Sequence, residues 1–170
     1  KQMSNRLNWK SADLAPGKKK SAALSGAELL ESRRKAAVLI GVDPGTHTGI
    51  AVKRHLKLEI IETLTIFEAL NAVIAWKKTC DAHLWTMLVR IEDARLRTFF
   101  GKTDREKLQG AGSIKRDCAI WEEVLTELQI PFEFVHPRNV KATTAEYFKR
   151  LTGWSGRTSI HAREAAYLIL

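Results

Sequence analysis

The sequence predicts an α/β domain: a five-stranded mixed sheet flanked by helices. Three observations predict it. The apolar run AAVLIGVD meets a short turn, PGTHT, and a second apolar run, GIAV, returns at once, as in a β-hairpin. Apolar residues then recur at helical spacing in separate blocks. Short apolar runs alternate with those blocks, so the later strands must be joined by crossovers.

The elements follow in order. Residues 1–36 form a basic arm with Pro16, Gly17 and a triple lysine, and hold six of the nine net positive charges. Within it, Ser25 and Glu28 have capping-box spacing, which predicts a short helix over Gly26–Lys35. The arm reads either as a segment contacting DNA or a partner, or as a solvated leader. The compact domain, 37–170, follows. Strands are expected at Ala36–Asp43, Thr48–Lys53 and Lys57–Thr63. Ile66, Phe67, Leu70, Val73 and Ile74 predict a helix over Ile66–Lys78. Thr86–Ile91 is a fourth strand, running into Glu92. Arg95–Lys107 has no clear period and reads as a loop. Ile114, Cys118, Trp121, Leu125 and Leu128 form one apolar stripe of a long helix, either core or a dimer seam. Pro131–Val135 is a fifth strand, Pro137 is expected to open a helix to about Arg150, and Ser159 to cap a last helix reaching Leu170.

Bulk properties narrow the function. The length of 170 residues suits one domain, and 45% hydrophobic residues suffice for a core. A net charge of +9 points to a polyanion, either nucleic acid or an anionic membrane surface. No apolar run approaches the roughly 20 residues of a membrane span, and the basic, polar start does not read as a signal peptide. Cys80 and Cys118 form neither a zinc motif nor a disulfide framework. A reducing, cytoplasmic setting is the simple reading.

The acids carry the chemistry. Asp43 and Glu92 each end a strand. If the first and fourth strands are parallel neighbours, both acids lie at the C-terminal edge of the sheet, where α/β folds place their sites. Asp43 also has a plainer reading, as a side chain capping its own turn. On the last helix, His161 and Glu164 are three residues apart and share a face, which Leu168 continues; Ala162, Ala165 and Ile169 can pack the other way. Three carboxylates and a histidine suit hard divalent cations such as Mg²⁺ or Mn²⁺. Each of these residues alone also reads as an ordinary surface charge or cap. Arg95, Arg97, Lys102, Arg105, Lys107, Lys115 and Arg116 lie just downstream with Phe99 and Phe100 among them. Basic residues grip phosphates and aromatics stack on bases; the alternative is a charged surface loop with its phenylalanines in the core.

The blocks GVDPGTHTGIAV, VRIED, GAGSIKRDCAIWEEVL, PFEFVHPRNVKA and SIHAREAAYLIL, in that order, resemble RuvC-type Holliday junction resolvases. The resemblance runs from about Val38 to Leu170. It implies an RNase H-like fold, and a homodimer that nicks opposing strands of a four-way DNA junction with two Mg²⁺ or Mn²⁺ ions per site, leaving a 5′-phosphate and a 3′-hydroxyl. It implies Asp43, Glu92, His161 and Glu164 as catalytic metal-site residues. It implies Lys141 as a catalytic basic residue near the scissile phosphate and Arg138 as a DNA contact. Three features depart from the pattern. The last acid is Glu164 rather than aspartate, Arg95 stands where an aromatic is expected, and the basic arm lies outside the family core. Phe99 or Phe100 can serve as the junction wedge. The departures suggest a divergent, phage or prophage branch. Other readings are a different RNase H-fold nuclease acting on RNA or branched DNA, and a junction-binding protein without cleavage. DPGTHTG is also similar to the phosphate hairpin of actin-like ATPases, but those need two such lobes.

Overall fold

The computed structural model describes residues 26–96, 105–137 and 143–170. A helix, α1 (Gly26–Lys35), leads into the antiparallel strands β1 (Val38–Asp43), β2 (Thr48–Arg54) and β3 (Lys57–Leu64). Helix α2 (Ile66–His83) crosses to β4 (Met87–Glu92), and α3 (Arg105–Glu127) crosses to β5 (Phe132–Val135). Helices α4 (Ala145–Thr152) and α5 (Ile160–Tyr167) follow. The sheet order is β3-β2-β1-β4-β5, with β1, β4 and β5 parallel and β2 antiparallel to both neighbours. This is the five-stranded mixed sheet flanked by helices that the sequence predicts.

Alternation along β1 divides the core. Val38, Ile40 and Val42 face one layer with Val89 and Ile91, under Ala69, Val73 and Cys80 of α2 and Trp121 and Leu125 of α3. The other face carries Ala51, Ile61 and Val135, covered by Phe148 of α4 and Ala162, Ala165, Ala166 and Ile169 of α5. Along the stripe of α3, Cys118, Trp121 and Leu125 are fully buried in the protein's own core. Leu128 lies beyond the helix and is exposed.

Several boundaries differ from expectation, each for a local reason. α2 runs past Lys78 because its end is fixed by a left-handed Leu84 (φ 55°), not by a glycine. α3 begins at Arg105, inside the segment read as aperiodic; Gly110 and Gly112 lie within it and blur its period. α4 opens at Ala145 rather than at Pro137, because the Thr144 hydroxyl caps it by accepting from Tyr147 N at 3.2 Å. α5 is capped by Ser159 as expected, and ends at Tyr167. Leu168 is buried and packs in the core instead of continuing the polar face. The helix at Gly26–Lys35 forms where the sequence places it. It is tied to the sheet: Arg33 and Arg90 both engage the buried carboxylate of Glu133.

Helix α5 lies directly against two strands. A Cβ on Gly41 would stand 1.9 Å from the Ala165 carbonyl oxygen, and one on Gly49 would stand 2.1 Å from that of His161. Backbone therefore packs on backbone, and no side chain fits between. Gly41→Ala and Gly49→Ala are each expected to cost about 1–3 kcal/mol or more in urea unfolding, because the helix must shift. Gly112→Ala, in open space on α3, is the control and is expected to stabilise by about 0.5–1 kcal/mol.

Candidate metal centre

Strands β1 and β4 are parallel neighbours, and their register pairs Val42 with Ile91. Asp43 and Glu92 thus stand side by side at the C-terminal edge of the sheet. Across β1, Asp43 pairs with Gly49 of β2, the position on which the first turn of α5 rests. The turn between β1 and β2 is fastened by the Thr48 hydroxyl donating to the Gly45 carbonyl at 2.8 Å. The Asp43 carboxylate is engaged elsewhere: its Oδ2 lies 2.7 Å from His161 Nδ1. His161 Nδ1 is in turn 3.9 Å from Glu164 Oε2, which the i, i+3 spacing on α5 brings about.

One donor atom from each of Asp43, His161 and Glu164 lies within 4.8 Å of the others. The Asp43 side chain is 8% exposed, that of Glu164 18% and that of His161 50%, so the group opens to solvent on the histidine side. Glu92 is buried and stands outside this tight group, but its charge is felt by Asp43. Burial pushes the Asp43 carboxyl up to about 7; the hydrogen bond from His161 opposes this, and the charges of Glu92 and Glu164 add to it. Burying a carboxylate among like charges is costly unless a cation compensates. A hard, oxygen-rich set with one imidazole fits a divalent ion of the Mg²⁺ or Mn²⁺ type. Asp43, His161 and Glu164 are the residues that would hold it, with Glu92 adjacent.

The remaining expected site residues distribute unevenly. Arg97, Phe99, Phe100, Lys102, Arg138 and Lys141 lie outside the described residues. Arg105 and Lys107 fall in the first turn of α3, and Lys115 and Arg116 are exposed further along it. Arg95 is engaged within the protein. Its guanidinium donates to Asp93 at 2.7 Å, contacts Glu122 of α3, and lies over the Phe134 ring at 4.2 Å. The hydrogen bond to Asp93 holds its pKa above the usual arginine value despite partial burial. Arg95 therefore braces the end of β4 against α3, next to Glu92.

Sequence reasoning missed Arg163. It is 7% exposed on α5, between His161 and Glu164. Its Nε donates to the Thr143 carbonyl at 2.9 Å and its Nη1 to the Thr158 carbonyl at 2.9 Å. It fixes the chain entering α4 to the chain entering α5. Nothing in the local pattern distinguishes it from a solvated arginine; only the long-range contact to Thr143 reveals it.

No protein-family model matches the chain, and a search of curated proteins finds no match. Among solved structures, T. thermophilus RuvC in complex with a Holliday junction substrate is similar to this chain. The likeness covers 78% of this chain and 90% of that one, at 20% sequence identity and a TM-score of 0.45.

The raised carboxyl makes the stability of the metal-free protein depend on pH. Asp43 titrates near 7 when folded against an ordinary value of 3.8. The folded state holds its proton more tightly, so the stability linked to Asp43 is complete below about pH 4 and is lost as pH rises through about 7. Stability measured by urea unfolding from pH 4 to 8 is expected to fall less steeply in Asp43→Asn than in the parent. Mn²⁺ at pH 7.5 is expected to raise the parent Tm by several degrees, with little effect on Asp43→Asn. Parallel pH profiles together with equal metal shifts would remove Asp43 from the centre.

Proposed function

We propose that this chain is a divalent-metal-dependent endodeoxyribonuclease that resolves four-way DNA junctions by paired nicks. The observation that supports the reading most is the meeting of Asp43, His161 and Glu164 at the strand-end edge of an RNase H-like sheet, with Glu92 beside them. The ordered sequence blocks described above, and a net charge of +9, add to it. Acids alone would repel a DNA backbone, so this set reads as a cation seat in an otherwise basic protein.

Divalent ions bound there, two per site in this reading, supply Lewis acidity toward a phosphoryl oxygen and lower the pKa of a bound water. The chain's own contributions are separate. Asp43 and Glu164 present oxygen donors on two different elements, so the seat forms only when α5 is docked. His161 aligns the Asp43 carboxylate through Nδ1. Glu92 adds negative charge at the same edge. Arg95 holds β4 and α3 together behind Glu92. Lys115 and Arg116, with the basic residues before them and Arg138 and Lys141, are assigned to the phosphate backbone. Two nicks in opposing strands require two sites, so the working species in this reading is a homodimer, acting in the cytoplasm.

A nicking assay on a synthetic four-way junction tests the reading, with linear duplex and RNA–DNA hybrid as controls. Symmetric nicks are expected on the junction alone, with Mg²⁺ or Mn²⁺ and not with chelator. Asp43→Asn and Glu164→Ala are each expected to lower the rate by about 100-fold or more, the scale at which metal-site positioning matters. Preferential cutting of RNA or hybrid would move the chain to another nuclease of the same fold. Tight junction binding without cutting under any metal would make it a binding protein.

A further inference from the structure

A second feature shares α5 with the metal centre. A cleft of about 350 Å³ lies between the end of β3 and the start of α5. Its floor is apolar, from Ile61, Leu64 and Ala162, and its polar lining includes Thr63, Ser159 and Arg157. Ser159 is two residues before His161, and Ala162 is one residue after it, so the cleft adjoins the acids along the same helix. The Ser159 hydroxyl is already anchored: it accepts from Ala162 N at 3.0 Å and meets the Thr63 hydroxyl at 2.5 Å. This joins β3 to α5 and gives the cleft a fixed wall.

Arg157 differs from the other arginines near the sheet. Arg33, Arg54, Arg90 and Arg95 each pair with a carboxylate, and Arg163 is satisfied by backbone carbonyls. Among the described residues Arg157 has no ion pair, and it is exposed. The neighbouring Ile160 is 57% exposed, and Phe67, three residues beyond Leu64, is 71% exposed. Neither is used by the core. A cation, hydroxyls and apolar surface beside a nuclease centre match a phosphate with its sugar and base.

We propose that this cleft seats the nucleotide flanking the scissile phosphate on the strand that is cut, with its phosphate on Arg157 and its sugar and base over Leu64 and Ile160. The proposal rests on the nuclease reading and adds a subsite to it. Glu62 also lines the cleft and repels phosphate. It is exposed, so it faces the solvent side of the bound strand.

The test is a binding cycle, read by fluorescence anisotropy on a four-way junction with Ca²⁺ in place of Mg²⁺. Single neutral methylphosphonates are scanned along one strand through the branch point. Arg157→Ala is expected to weaken binding about tenfold, the scale of a hydrogen bond to a charged group, and to lower the salt slope by about 1. One methylphosphonate position is expected to weaken the parent equally and to cost Arg157→Ala nothing further. Glu62→Gln is expected to tighten binding. Arg157 is exposed, so its variant should fold, and an unchanged Mn²⁺ thermal shift confirms both fold and metal seat. Parent-like binding by Arg157→Ala overturns the subsite, as does full additivity at every methylphosphonate position. A parent that binds the junction in Ca²⁺ but cuts nothing in Mg²⁺ or Mn²⁺ sinks the nuclease reading and the scissile position with it, and the cycle then decides only whether Arg157 holds a junction phosphate. A parent that binds no DNA overturns both.

Discussion

The close contact between α5 and the glycines of β1 and β2 is the constraint on which the rest of the structure depends. The carbonyls of Ala165 and His161 occupy the space that Cβ atoms would take on Gly41 and Gly49. Interiors are packed too tightly for a methyl group to be absorbed there without movement. Because the helix rests on strand backbone, its alanines can be buried at 162, 165 and 166 while His161 and Glu164 reach the neighbouring strand end. Gly49 is the register partner of Asp43. The position that admits the helix is therefore also the one beside the acid that the helix must meet.

Electrostatics sets Asp43 apart from the buried acids Glu133 and Asp93. Glu133 is clamped between Arg33 and Arg90, and Asp93 is held by Arg95. Such pairs satisfy a carboxylate within the protein. Asp43 has a half-exposed histidine on one side, and the charges of Glu92 and Glu164 act on it from nearby. Glu133 and Asp93 are compensated by arginines within the fold, whereas Asp43, buried beside like charges, favours a proton or a cation. The Glu133 clamp also ties α1, which lies near the end of the basic arm, to the sheet.

Loop anchoring extends the same logic. Arg163 is buried on α5 between His161 and Glu164 and spends its donors on the chain at Thr143 and Thr158. Arg95 and Asp93 do the equivalent at the end of β4. Both arginines hold irregular chain against regular elements, so the positions of Glu92 and of α5 are fixed from the flanks as well as from the sheet.

The sequence by itself determined the element order, the strand ends at Asp43 and Glu92 and the histidine–glutamate pair on the last helix. These depend on local chemistry: alternation of apolar residues, turn formers at Pro44 and Gly45, and the cap at Ser159. The short helix at Gly26–Lys35 was legible as well, while Ser25, its expected cap, lies outside the described residues. The extent of α2 and the starts of α3 and α4 were not legible, because Leu84 and Thr144 act through backbone conformation and capping, which spacing alone does not reveal. The tertiary structure decided whether the acids meet, and it decided the internal role of Arg95 and the anchoring by Arg163. Those outcomes depend on register, on strand neighbours and on the distance between α5 and the sheet. They are contacts between residues as much as 118 positions apart, as for Asp43 and His161, and no local pattern encodes a distance of that kind.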